Sequence, residues 1–130
     1  SSIEKNTANI EKHFNKDSLI QIFESLKKDD SEWANSTLEI LSKKSPTSMS
    51  VTVEQLVKAK KLSLKDCLKM EFRICQAMMA KHDFYEGVRA NLVDKDRNPK
   101  WNPNNIYDIK ESLIKEHFVE LGQKDLFENE

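Results

Sequence analysis

A chain of 130 residues, 38% hydrophobic and 33% charged, is long enough for one modest core beneath a busy surface. Its 21 basic and 22 acidic residues leave a net charge of −1, which argues against a surface built for nucleic acid or an anionic membrane. No apolar run reaches the ~20 residues of a membrane span. Two glycines, Gly87 and Gly122, are too few for a phosphate-cradling loop, a nucleophile elbow or a dinucleotide fold.

Taken in order, residues 3 to 14 carry Ile3, Ile10 and Phe14, a thin helical stripe on a polar segment. Asp17 or Ser18 can cap a second helix with the stripe Leu19, Ile22, Phe23 and Leu26, which runs out in the charged turn Lys27 to Asp30. Ser31 is a third cap, followed by Trp33, Thr37, Leu38 and Leu41 at helical spacing. Ser45-Pro46 supplies a cap and a proline at the first helical position, and Met49, Val53, Leu56 and Val57 form the next stripe. Ser63, with Asp66 three residues on, opens the most regular helix, in which Leu64, Leu68, Phe72, Cys75 and Met79 step by four or three. Glu71 beside that stripe is expected to be partly buried, and Cys67 and Cys75, ~12 Å apart on one helix, cannot pair. They are expected as free, buried thiols.

Asp83 and Glu86 have the D-x-x-E form of a capping box, so a sixth helix is predicted to start at Asp83. Val88, Leu92 and Val93 would give its apolar side and Arg89, Asn91 and Asp94 its wet side. Lys95 and Arg97 follow where the helix dipole favours cations, and Pro99 and Pro103 bracket Trp101 as an anchor for the exit segment. A last helix is predicted from Asn105 or Lys110 to Leu121, with Gly122 as its stop and residues 125 to 130 as a loose tail. The reading is all-α, with six or seven amphipathic helices in three segments: 1–44, 45–101 and 102–130.

His13, His82 and His117 share no metal-ligand spacing with the cysteines, and no G-x-S-x-G is present. His82 reads as part of the start of a helix rather than as a base. Lys95, Arg97 and Lys100, three cations within six residues, suit the phosphates of a nucleotide; the plainer alternative is dipole compensation and solvation.

The runs SPTSMSVTVEQL (45–56), LSLKDCLKMEFRICQAMM (62–79) and HDFYEGVRANLVDKDRNPKW (82–101) resemble, in order and spacing, the C-terminal portion of the 3-hydroxyisobutyryl-CoA hydrolases of the enoyl-CoA hydratase (crotonase) superfamily. The resemblance is densest over residues 31 to 101. It implies a parent enzyme that hydrolyses an acyl-CoA thioester in mitochondrial valine breakdown, with its chemistry in an N-terminal β/α core outside these residues. By the same resemblance the segment covers the acyl-CoA pocket and contacts that core or another subunit of a homo-oligomer. No catalytic residue, metal ligand or separate cofactor is implied here, CoA being part of the substrate, and the segment alone is expected to be inactive. Neither a membrane nor nucleic acid is an expected partner, unless the chain is a ribosomal relative. In crotonases a lysine after an E-G-x-x-A helix start approaches the nucleotide end of CoA, and Lys95 matches it, although Asn91 and Leu92 stand where an aromatic is usual. Two other parents fit the resemblance: a non-catalytic relative in the mitochondrial ribosomal small subunit, and an enoyl-CoA hydratase or isomerase.

Overall fold

The structure, a computed structural model, describes residues 2–128. It is all-α, with no strand among the described residues, and divides into two compact units, 1–44 and 45–130.

The first unit holds α1 (Ser2–Phe14), α2 (Leu19–Asp29) and α3 (Glu32–Leu41). Ser18 accepts from the Gln21 N–H and Ser31 from the Ala34 N–H, so both short helices start where a hydroxyl satisfies a free amide. Leu19, Ile22, Phe23 and Leu26 are all buried, as their spacing predicts, and Ala34 of α3 joins them. The stripe expected on α1 does not form, since Ile3 is 76% and Ile10 50% exposed. Its buried residue is instead His13. The imidazole Nε2 donates to the Asp29 carboxylate at 2.5 Å, Nδ1 pairs with Ser25 Oγ at 2.8 Å, and the ring stacks on Trp33. Asp29, assigned to a solvated turn, is thus the last residue of α2 and a clasp for α1. The His13 hydrogen bond comes first among the groups that hold its carboxyl below the usual range, against some desolvation.

The second unit is built on α4 (Pro46–Ala59) and α5 (Leu64–Met79). Ser45 caps α4 through the Ser48 N–H, Pro46 fills the first turn, and Ser63 caps α5 through the Asp66 N–H. Val51, Met70 and Ile74 form the core, with Ala59, Met78 and Phe118 packed against it. That is the opposite side of α5 from the regular stripe. Leu64 is 77% exposed, Leu68 44% and Met79 43%, and Cys75 is exposed beside them. On α4, Leu56 is exposed while Pro46, Thr47, Ser50 and Val51 are buried. Glu71, expected to be partly buried, is exposed and hydrogen-bonds the Gln55 amide. Partial desolvation, then the Glu71 carboxylate, pushes the Cys75 thiol up.

The single last helix predicted to reach Leu121 is broken into a 3₁₀ turn at Ile106–Asp108, α7 (Glu111–Lys115) and a second 3₁₀ turn at Glu116–Phe118. Gly122, with φ 62°, opens a further turn rather than ending a helix. Nor is the tail loose. Asp125 is buried and takes a two-pronged bond from Arg73 Nε and Nη2, both at 2.9 Å, and accepts from the Leu121 N–H. Lys69 holds Glu128 at 2.8 Å, and Lys65 lies over the Phe127 ring. These contacts strap residues 121–128 onto α5. Residues 129 and 130 of the predicted tail lie outside the described residues.

Candidate functional site

The segment from α6 (His82–Val88) through Trp101 carries the three candidate cations. Its start differs from the predicted capping box. The helix begins one residue earlier, with Lys81 at the cap position and no side-chain cap bond. Asp83 and Glu86, one turn apart on the same face, instead grip the returning chain. Asp83 accepts from Ser45 Oγ at 2.5 Å and from the Asn102 N–H at 2.9 Å, and His82 Nδ1 lies 2.8 Å from it. Glu86 accepts from the Lys100 N–H at 2.6 Å. Between those two amides Trp101 lies against Gly87, close enough that a Cβ there would stand 3.5 Å from the indole ring. Trp101 is the anchor its position between two prolines predicts. The Asn102–Pro103 peptide is cis.

Beyond Val88 the helix widens into one π turn, Arg89–Val93, closed by the Asp94 N–H on the Arg89 carbonyl at 2.8 Å. Ala90 is fully buried, but Leu92 and Val93, expected on the apolar side, are 69% and 68% exposed. Arg89, expected on the wet side, is the hub. Its Nε and Nη2 fork onto Glu86 at 2.7 and 2.8 Å, while Nη1 donates to Asp94 at 2.9 Å and to Asp96 at 2.8 Å. Asp96 also accepts from the Asn98 N–H, and the Arg97 N–H reaches back to the Ala90 carbonyl at 2.9 Å. The Arg89 hydrogen bonds first, then the Lys100 N–H, pull the Glu86 carboxyl down to about 2. Arg89 itself is raised, by Glu86 above all, and Asp96 is lowered, chiefly by Arg89.

This network sorts charge. In the run Asp94-Lys95-Asp96-Arg97 acids and bases alternate, so the sequence is locally neutral. In the folded loop both acids turn to Arg89, while Lys95, Arg97 and Lys100 are exposed and form no ion pair among the described residues. Lys95 and Arg97 both adopt left-handed backbone, φ 56° and 55°, at a cost of about 1 kcal/mol each. The result is an exposed loop whose three cations are not taken up in ion pairs, beside a cluster of three carboxylates gathered on one guanidinium. Such a loop can donate charge-assisted hydrogen bonds to phosphate oxygens.

Two other features are structural. His13, Ser25 and Asp29 have the residue types of a nucleophilic triad, but Ser25 sits within α2, where neighbouring amides are spent on the helix and none is free to hold an oxyanion. His117 is buried with Nδ1 donating to the Leu113 carbonyl. A cleft of about 500 Å³ between α4, α5 and Phe118 is rimmed by Lys58, Lys61, Lys69 and Arg73. Three of these already pair, with Glu54, Glu128 and Asp125. No cluster of His, Cys, Asp and Glu suited to a metal occurs among the described residues.

Comparison with known proteins agrees with this fold. The chain is 40% identical to human mitochondrial 3-hydroxyisobutyryl-CoA hydrolase over 124 residues, covering 95% of the chain and 32% of that protein. It is 49% identical to the Dictyostelium discoideum protein of the same name over 119 residues, 90% of the chain and 31% of that protein. The chain thus spans about a third of the length of these relatives. A crystal structure of a carnitinyl-CoA dehydratase from Mycobacterium thermoresistibile matches all of the chain with a TM-score of 0.88 and 31% identity, using 37% of its own length. An enoyl-CoA hydratase from Rhodobacter sphaeroides matches 97% of the chain, and 37% of its own, with a TM-score of 0.87 and 25% identity. The profile described as enoyl-CoA hydratase/isomerase matches residues 1–118, and the chain belongs to that family.

Proposed function

We propose that this chain is the C-terminal helical part of a mitochondrial acyl-CoA thioester hydrolase that turns 3-hydroxyisobutyryl-CoA and water into 3-hydroxyisobutyrate and CoA. The relatives' names support the reaction. The segment's own role rests on one observation: α5 is apolar on two sides. Met70 and Ile74 are buried within the chain, whereas Leu64, Leu68 and Met79 are exposed. A helix with two apolar sides belongs between two layers. The second layer is the catalytic core of the parent enzyme or another subunit, and the helices close one side of the acyl-CoA pocket. Backbone amides that steady the thioester oxygen and the acids that handle water are assigned to that core. Lys95, Arg97 and Lys100 are assigned to the CoA phosphates, a role their exposure and lack of acid partners support.

Titration of the chain with CoA by calorimetry, at low and moderate salt, tests the phosphate assignment. Salt-sensitive binding that disappears in Lys95→Ala is expected. Absence of binding by the folded chain counts against it. No turnover of 3-hydroxyisobutyryl-CoA by the pure chain is expected, and measurable turnover would overturn the assignment of the chemistry to the core. A second reading, a hydratase or dehydratase parent, is favoured by the names of the two solved structures. Assay of the full-length parent separates the readings: hydrolysis of 3-hydroxyisobutyryl-CoA supports the first, and hydration of an enoyl-CoA without that hydrolysis supports the second.

A further inference from the structure

We propose that Arg89 is the positioning residue of the phosphate-binding loop: it folds residues 94–100 around itself and, by holding Asp94 and Asp96, keeps their carboxylates away from the anion that Lys95, Arg97 and Lys100 receive. This rests on the reading of those three cations given above, and adds the device that makes them usable. Three observations carry it. Arg89 donates to Glu86, Asp94 and Asp96, so one guanidinium ties the end of α6 to both acids of the loop. Glu86, gripped by Arg89, in turn accepts the Lys100 N–H, so the far end of the loop hangs on the same pair. The backbone at Lys95 and Arg97 is left-handed, a conformation that non-glycine residues keep only where neighbouring contacts impose it.

A loop with the sequence DKDRNPK and no Arg89 would let Lys95 and Arg97 pair with the acids beside them, and an incoming phosphate would have to displace those acids. Arg89 removes that competition without touching the ligand. A lysine at this position could not do the same, since a single ammonium lacks the planar fork that serves Glu86 and the two aspartates together.

Two measurements on the full chain decide the matter. The first needs no ligand: amide hydrogen exchange at Arg97 and Lys100, whose N–H groups are held by the Ala90 carbonyl and by Glu86. Arg89→Ala and Arg89→Lys are both expected to speed exchange there by about tenfold or more while leaving the amides of α5 unchanged. Unchanged exchange at both amides overturns the proposal. The second is CoA affinity in Asp96→Asn. If charge alone governed the loop, removing an acid would tighten binding. Positioning requires the opposite, a loss of about threefold to tenfold, because Asp96 helps hold the fold of the loop. Tighter binding by Asp96→Asn, or wild-type affinity in Arg89→Lys, overturns the proposal. If the wild-type chain ignores CoA altogether, the phosphate assignment fails by itself, and the exchange data still decide whether Arg89 organises the loop.

Discussion

The serine caps and the acidic pair of α6 mark the boundary of what single residues disclose. Ser18, Ser31, Ser45 and Ser63 cap the helices assigned to them because the amide each accepts lies three residues away, within reach of a local pattern. Asp83 and Glu86 have the same local signature and do something else, because Ser45, Lys100 and Asn102, 14 to 38 residues distant, offer them better-placed donors. The tail behaves likewise. Asp125 is 52 residues from Arg73, and nothing in the residues around it announces the pair. That pair has a pH signature. Arg73, then the Leu121 N–H, hold the Asp125 carboxyl at about 2 against an ordinary 3.8, so its stabilising effect is complete above about pH 4 and fades as pH falls through 2. Thermal melts of wild type and Asp125→Asn, followed by circular dichroism, should differ most at neutral pH and converge between pH 4 and 2. A constant difference across that range would mean that the buried carboxylate is not what straps the tail.

At the scale of elements, helical periodicity located every long helix but misjudged what is covered on α1, on α5 and, at Leu56, on α4. On α5 the regular steps from Leu64 to Met79 mark a true apolar side. Met70 and Ile74 mark another, and only the second meets Val51 and Phe118 within this chain. Periodicity reports that a side is apolar; what covers it depends on partners the pattern cannot name. The short elements failed for a different reason. Residues 105 to 121 have helical spacing, but after Lys115 the chain tightens into a 3₁₀ turn that buries His117 and sets Phe118 on the core. Substitutions should therefore rank against the strength of the periodic signal. Ile74→Ala, which empties the core, should cost about 2 to 5 kcal/mol. Leu68→Gln, in the more regular stripe, should change stability by less than about 0.5 kcal/mol. Urea unfolding of both variants checks the ranking, and equal losses would mean that the stripe is covered within the chain after all.

For the whole molecule, the fold class and the family were legible because each rests on many residues: caps, stripes and three long motifs agree with one another. The working arrangement of the loop was not, since it depends on Arg89 gathering acids that the sequence presents as ordinary surface charge. The same gap between pattern and partner governs how the isolated chain should behave. Exposed Leu64, Leu68, Met79, Phe84, Leu92 and Val93 leave apolar surface in water, and a net charge of −1 supplies little repulsion between copies. The chain alone should bind a hydrophobic dye and associate as its concentration rises, as measured by sedimentation velocity over a tenfold range. Leu64→Glu combined with Leu68→Glu should suppress both effects and leave the thermal midpoint nearly unchanged, since neither leucine belongs to the core. A wild-type chain that stays monomeric and dye-silent would show that α5 needs no second layer, and the helical-cap role would lose its support.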